Sequence, residues 1–139
     1  MAMTAKCSCG ELSIRANSNP LKVSVCHCKA CQRRTGSAFG VAAFYHREGV
    51  VADGLSNTYV RTGDSGMTLT FHFCPSCGST VYWFPAFRPS LVAVAFGCLD
   101  DTQGVTIDQS VYETHAHSWV NLATAAVLPK ETEWNQRLR

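Results

Sequence analysis

Eight cysteines occur in 139 residues, and seven of them fall in three tight clusters: Cys7-Ser8-Cys9-Gly10, Cys26-His27-Cys28-Lys29-Ala30-Cys31 and Cys74-Pro75-Ser76-Cys77-Gly78. This spacing constrains the chain more than any other feature, because sulfurs so close in sequence either pair with one another or share a metal ion. The segment from Met1 to Cys7 has no apolar stretch of signal-peptide type, and the longest apolar run, Leu91 to Leu99, is too short to span a bilayer. The expected setting is the cytoplasm, with no membrane partner. In a reducing compartment, cysteine clusters are metal ligands more often than disulfides.

In a Cys-x-x-Cys turn followed by Gly, two sulfurs converge on one point, backbone N–H groups face them, and Gly tolerates the positive φ that closes the turn. Cys74 and Cys77 with Gly78 are half of a tetrahedral site in this sense. Cys7 and Cys9 with Gly10 have the shape of the other half, since residues two apart in an extended segment project to the same side. Together they would form a closed four-cysteine zinc site. Cys26, Cys28 and Cys31 are left over, and three protein ligands with an open position are the pattern of a catalytic zinc. The expectation is thus two Zn2+ ions, one structural on four cysteines and one open on three. Alternatives remain at this level: His27 as a fourth ligand, although alternation points it away from its neighbours; a second structural zinc closed by another residue; or the 74/77 knuckle paired with the triple. Four-sulfur sites in small domains favour zinc over iron.

Short β-like runs bounded by turn residues cover most of the chain: Leu12 to Ala16, Lys22 to Val25, Val41 to Tyr45, Asn57 to Arg61, Met67 to Phe73, Ser79 to Phe84, Leu91 to Phe96 and Val111 to Glu113. Strands in that number, with frequent turns, predict an all-β sandwich or barrel-like stack. Helix is expected only as a turn or two after Cys28 and in the Ala-rich stretch Ser118 to Ala126, which stops before Pro129. A single zinc-binding domain over 1–139 is expected, with a polar tail from Lys130 that Trp134 could tack down.

Apolar residues make up 46% of the chain and charged ones 16%, enough to fill a core. The formal charge is +2, and no basic run exceeds Arg33-Arg34, which argues against a nucleic-acid partner. Seven thiolates subtract seven and two zinc ions add four, so the loaded protein carries about −1.

The chain resembles the glutathione-dependent formaldehyde-activating enzyme family, whose zinc-bearing β-tent fold is shared with a small guanine-nucleotide-exchange chaperone. The motifs that carry the resemblance are Cys7-Ser8-Cys9-Gly10, the run from Cys26 through Cys31-Gln32-Arg33-Arg34-Thr35-Gly36-Ser37-Ala38-Phe39, Phe73-Cys74-Pro75-Ser76-Cys77-Gly78-Ser79 and Gly97-Cys98-Leu99-Asp100-Asp101, with a weaker match at Ser118-Trp119-Val120. The resemblance implies a β-tent of stacked antiparallel sheets with zinc knuckles. It also implies a structural zinc on Cys7, Cys9, Cys74 and Cys77 and a catalytic zinc on Cys26, Cys28 and Cys31. The activity it implies is formation of S-(hydroxymethyl)glutathione from formaldehyde and glutathione, a carbon-sulfur lyase by its reverse direction. Two features depart from the family pattern: Cys98 stands where a small residue such as Thr or Ser is expected, and the stretch from Tyr112 to Trp119 is short.

A small-molecule thiol, glutathione or a relative, is the expected partner, entering as the fourth sulfur at the open zinc. Arg33 and Arg34 could clamp the carboxylates of a peptide-like thiol, with Thr35, Gly36 and Ser37 offering backbone N–H groups; the plain alternative is two solvated arginines and an ordinary turn. His115 and His117 could give a proton to the developing alkoxide. Phe39 could wall the pocket but fits a core role better, His72 should face outward, and Cys98 reads as a small buried residue. Asp100 and Asp101 fit a turn. The competing function is a non-catalytic, zinc-stabilised binding or scaffold module, and the chain would act as a monomer or a homodimer.

Overall fold

The computed structural model describes residues 2–123 and 126–128. In chain order the strands are β1 (Met3–Lys6), β2 (Ser13–Ala16), β3 (Lys22–Cys26), β4 (Gly40–His46), β5 (Val50–Asp53), β6 (Asn57–Thr62), β7 (Thr68–Phe73), β8 (Thr80–Pro85), β9 (Leu91–Ala95), β10 (Gln109–Val111) and β11 (Ala126–Leu128). One α-helix, α1 (Lys29–Thr35), follows β3, and three 3-10 turns complete the regular structure of the described residues. The class is the expected all-β one with short helical turns. None of these helices is long and apolar enough to cross a membrane.

The chain forms two compact units, and β4 contributes residues to each. The first takes Met1–Leu21 and Ala43–Gln103; the second takes Lys22–Ala42 and the chain from Gly104 onward.

In the first unit, β1, β2 and β5 make an antiparallel three-stranded sheet, with Ala5 opposite Ile14 and Ile14 opposite Ala52. Period-2 alternation explains β1 and β2: Met3, Ala5, Ile14 and Ala16 point inward and are buried, while Thr4, Lys6 and Arg15 stay in water. Strands β6, β7, β8 and β9 form an antiparallel ladder. Strands β8 and β9 are buried on both faces and accordingly read as near-continuous apolar runs, with Val81, Val92, Ala93 and Val94 almost fully covered. The β7–β8 register shifts between His72 and Phe73, just before Cys74, so an irregularity in the ladder hands the chain into the cysteine knuckle. His72 does not face freely outward: its ring stacks on Tyr82 at 4.5 Å, meets Phe84 edge-on and pairs through Nδ1 with the Ser56 hydroxyl at 2.9 Å.

Gly54 ends β5 at φ +96°, where a Cβ would stand 2.0 Å from the Glu11 carbonyl oxygen. Only Gly fits such an approach, so Gly54→Ala should cost about 2 kcal/mol through combined strain and clash, read as a lowered denaturant midpoint at unchanged slope.

In the second unit β10 lies between β3 and β11, and both pairings are parallel, unlike the antiparallel stacking implied by resemblance. Strand β10 also begins two residues before the expected Val111 to Glu113 run, because Gln109 and Ser110 pair with Ser24 and Val25 and are buried in spite of their polarity. Asp108 fastens the entry: its carboxylate accepts from the Val23 N–H at 2.7 Å, and its own N–H donates to the Val23 carbonyl. The helix expected over Ser118 to Ala126 is absent from its described residues, which run as turn and coil and then enter β11. The expected tail from Lys130, with Trp134, lies outside the described residues.

Candidate metal centre

Two groups of cysteine sulfurs assemble, Cys7, Cys9, Cys74 and Cys77 in the first unit and Cys26, Cys28 and Cys31 in the second, each with all sulfurs within 4.8 Å of one another. This is the division into four and three reached from spacing. His27 does not enter the triple.

Two turns build the first group. After β1, the Gly10 N–H closes on the Cys7 carbonyl with Gly10 at φ +84°, and the Leu12 N–H donates to the Cys7 sulfur at 3.2 Å. After β7, the Gly78 N–H closes on the Cys74 carbonyl with Gly78 at φ +80°. Ser79 ties the two turns together, its hydroxyl accepting the Ser8 N–H at 3.2 Å. The same hydroxyl oxygen lies 3.4 Å from the Cys77 sulfur, and this hydrogen bond draws the Cys77 thiol down to about 5. Cys9 Sγ lies 3.6 Å from the sulfurs of both Cys7 and Cys74. A tetrahedral zinc with bonds of about 2.3 Å needs neighbouring sulfurs roughly 3.8 Å apart, so the donor set and its spacing fit that ion.

The triple is built at the junction of β3 and α1. Cys26 ends the strand, Cys28 caps the helix with its sulfur accepting the Cys31 N–H at 3.3 Å, and Cys31 lies in the first turn. Crowding has an electrostatic consequence: the Cys28 and Cys31 sulfurs, together with burial, push the Cys26 thiol well above its ordinary range. A group of thiols that resists stepwise ionisation is one whose negative charge calls for a cation. Among the described residues, no imidazole, carboxylate or fourth thiol joins these three.

His27 is fully buried and faces the other way, as alternation required. Its Nε2 lies 2.8 Å from both the Ser110 hydroxyl and a Glu113 carboxylate oxygen, while Ser110 donates to the same carboxylate at 2.7 Å. Since the Ser110 hydrogen is used on Glu113, Nε2 carries the proton that serves both. Burial holds the His27 imidazole below its usual range, against the pull of Glu113. Phe39 packs against this ring at 5.6 Å and is half-buried.

Arg33 is exposed and Arg34 half-buried on α1. Gly40 leaves room beside them: a Cβ there would stand 2.8 Å from Arg34 Nη2 and 3.3 Å from Cys31 Cβ, which places the guanidinium on the side of the helix that carries the triple. The Gly36 and Ser37 N–H groups are engaged in the helix cap, the first with the Gln32 carbonyl at 2.7 Å and the second with the Thr35 hydroxyl at 3.1 Å. Thr35 itself donates to the Cys31 carbonyl. Two of the N–H groups expected to face a substrate are thus already engaged, whereas the Arg33 side chain is exposed. His115 and His117 are both exposed, and Cys98 is half-buried in a 3-10 turn, its sulfur 3.7 Å from the Thr80 carbonyl. The carboxylate of Asp100 accepts from the Thr4 hydroxyl and pairs with Lys6.

Sequence reasoning missed Gln32, Ser110 and Glu113. Ser110 is 83 residues from His27 and carries no local signal, whereas Gln32 adjoins Cys31 and could have been questioned as a polar residue in a motif of ligands.

The model of the glutathione-dependent formaldehyde-activating enzyme family matches residues 2–120. No curated protein matches the chain. A crystal structure of a Rhodobacter sphaeroides protein is similar in fold, with a TM-score of 0.54 and 22% identity over 75% of this chain and 91% of that one. With the match spanning both cysteine groups, the chain belongs to the glutathione-dependent formaldehyde-activating enzyme family.

Proposed function

We propose that this protein is a zinc-dependent enzyme of the carbon-sulfur lyase type, joining a glutathione-like thiol to a small aldehyde such as formaldehyde, and that it works in the cytoplasm. The observation that carries this reading is that Cys26, Cys28 and Cys31 form a three-sulfur group distinct from the four-sulfur group. A purely structural role is met by four sulfurs; three suit a metal that must also accept a substrate. When bound there, zinc supplies the stabilisation that makes a substrate thiol, ordinarily protonated at neutral pH, available as thiolate.

The chain's own residues do the rest. The β3–α1 junction fixes three sulfurs on a short, capped turn, so that little reorganises on substrate entry. Arg34, near Cys31, and the exposed Arg33 offer positive charge to the carboxylates of a peptide-like thiol. The buried His27–Ser110–Glu113 contacts anchor the peptide between Cys26 and Cys28 from behind. The group of Cys7, Cys9, Cys74 and Cys77 holds the fold.

Metal content and turnover test this together. Wild type should hold two zinc ions per chain and Cys28→Ser one, and millimolar glutathione should weaken only the second ion. Wild type should consume formaldehyde with glutathione faster than the uncatalysed reaction, and Cys28→Ser should not. Two ions that survive both the substitution and the thiol, without turnover, would mean a scaffold instead.

A further inference from the structure

The second unit holds a side chain that the reading above leaves unused. Gln32, next to Cys31, donates from its amide nitrogen to the His27 carbonyl at 2.8 Å and, more weakly, to the His115 carbonyl at 3.4 Å. Both partners are acceptors only, so the orientation of the amide is determined: nitrogen toward the two carbonyls, oxygen away. That oxygen lies 3.0 Å from Nε2 of His117. An amide oxygen cannot donate, so His117 must carry its proton on Nε2. Its Nδ1 is then left with a lone pair, on an exposed ring.

Two further observations show that this ring is held in place. Trp119, exposed to 74%, stacks on it at 5.8 Å with 20° between the planes. The segment that leads to it begins at Tyr112, whose φ of +56° is a left-handed conformation that a bulky residue adopts only where its surroundings impose it. Successive turns then follow, His115 N–H to Tyr112 carbonyl, Ala116 N–H to Glu113 carbonyl and Val120 N–H to His117 carbonyl. The short stretch from Tyr112 to Trp119 is thus a built arm, joined through Gln32 to the peptide between two of the three cysteines.

Resting on the thiol–aldehyde reading, we propose that His117 is the base and acid of the reaction and Gln32 the positioning residue that fixes its tautomer. Nδ1 takes the proton of the substrate thiol, giving thiolate and imidazolium. The thiolate sulfur forms a bond to the aldehyde carbon as the carbonyl π pair moves to oxygen. Nδ1–H then returns the proton to that alkoxide. Thiol plus aldehyde becomes the S-hydroxyalkyl product, with no other reactant and His117 restored.

The first test needs no turnover. Long-range 1H–15N spectra of the zinc-loaded protein should show His117 protonated at Nε2 and bare at Nδ1, and Gln32→Leu should relax this into a mixture of tautomers. An Nδ1–H tautomer in wild type overturns the proposal. The second test is kinetic: His117→Gly, at an exposed site, should keep both zinc ions while kcat falls by a factor of about 10² to 10⁴ with KM little changed. Added imidazole should restore part of the loss, and Gln32→Leu should lower kcat more than KM rises. An active wild type with an equally active His117→Gly, or a loss that imidazole does not relieve, removes His117 from the chemistry while leaving the thiol–aldehyde reading intact. A wild type without turnover overturns both.

Discussion

Cys74→Ser is expected to reduce zinc from two ions per chain to one and to lower the unfolding midpoint by on the order of 10–20 °C. Cys74 is fully buried at the end of β7, and its sulfur lies 3.6 Å from that of Cys9, 65 residues earlier in the chain. A cross-link closing a loop of that length restrains the unfolded chain by about 4 kcal/mol in the entropic treatment used for disulfides. The loss of a ligand adds the weakened metal affinity, and serine leaves a buried hydroxyl where a soft sulfur had been. Calorimetry with and without a chelator checks the result: chelator should bring wild type down to the variant and move the variant little. Cys98→Ser is the internal comparison. Its sulfur lies 3.7 Å from the Thr80 carbonyl and belongs to neither group, and serine is close to it in size, so zinc content should be unchanged and stability should move by about 1 kcal/mol.

The second large effect is expected at His27. His27→Ala removes a fully buried ring together with the Nε2–H that serves Ser110 and Glu113, and leaves Phe39 facing a cavity. Cavity formation and the orphaned polar partners together should cost about 3–5 kcal/mol. Because the residue stands between Cys26 and Cys28, the damage should extend to metal binding in the triple, with affinity falling about 10- to 100-fold, as when a supporting partner of a ligand is lost. Competition with a chromophoric chelator resolves the two sites, and the four-cysteine site should keep its affinity. Equal weakening at both would mean that His27 supports the fold at large and not this turn.

Much of the cysteine chemistry was legible in the sequence because knuckles are local objects. Cys74 to Gly78 and Cys7 to Gly10 carry their geometry in a few residues, and the positive φ at Gly10 and Gly78 is the one those motifs require. Strands β2, β3, β4, β6, β7, β8 and β9 lie close to the runs that alternation marked. Strands β1 and β5 escaped, and β5 has no buried face to mark it, since Val50 is half-buried and Val51, Ala52 and Asp53 are exposed. The misplacement of β10 has a different cause. Gln109 and Ser110 read as polar surface, yet both are buried because β3 supplies partners for them, Gln109 reaching the Ser24 hydroxyl at 3.2 Å. Ala-rich composition favoured helix over Ser118 to Ala126, but the described part of that stretch is held as turn and coil, a case of tertiary context overriding weak propensity. The roles of Gln32 and His27 depend on partners more than 80 residues away, and no local pattern announces them.

The course of the chain through its two units bears on how the protein is made. Cys77 completes the first sulfur group well before Gly104 resumes the second unit. A ribosome that has released the chain as far as Gln103 has delivered all seven clustered thiols, but not β10, which pairs with β3 beside Cys26. Metal loading thereby acquires a direction in time: the four-cysteine site can close while the chain is still being synthesised, whereas the triple stays on a strand without its parallel neighbour until the remainder emerges. If both groups take zinc as proposed, a cell short of the metal during that interval would release molecules holding their first ion and still waiting for the second.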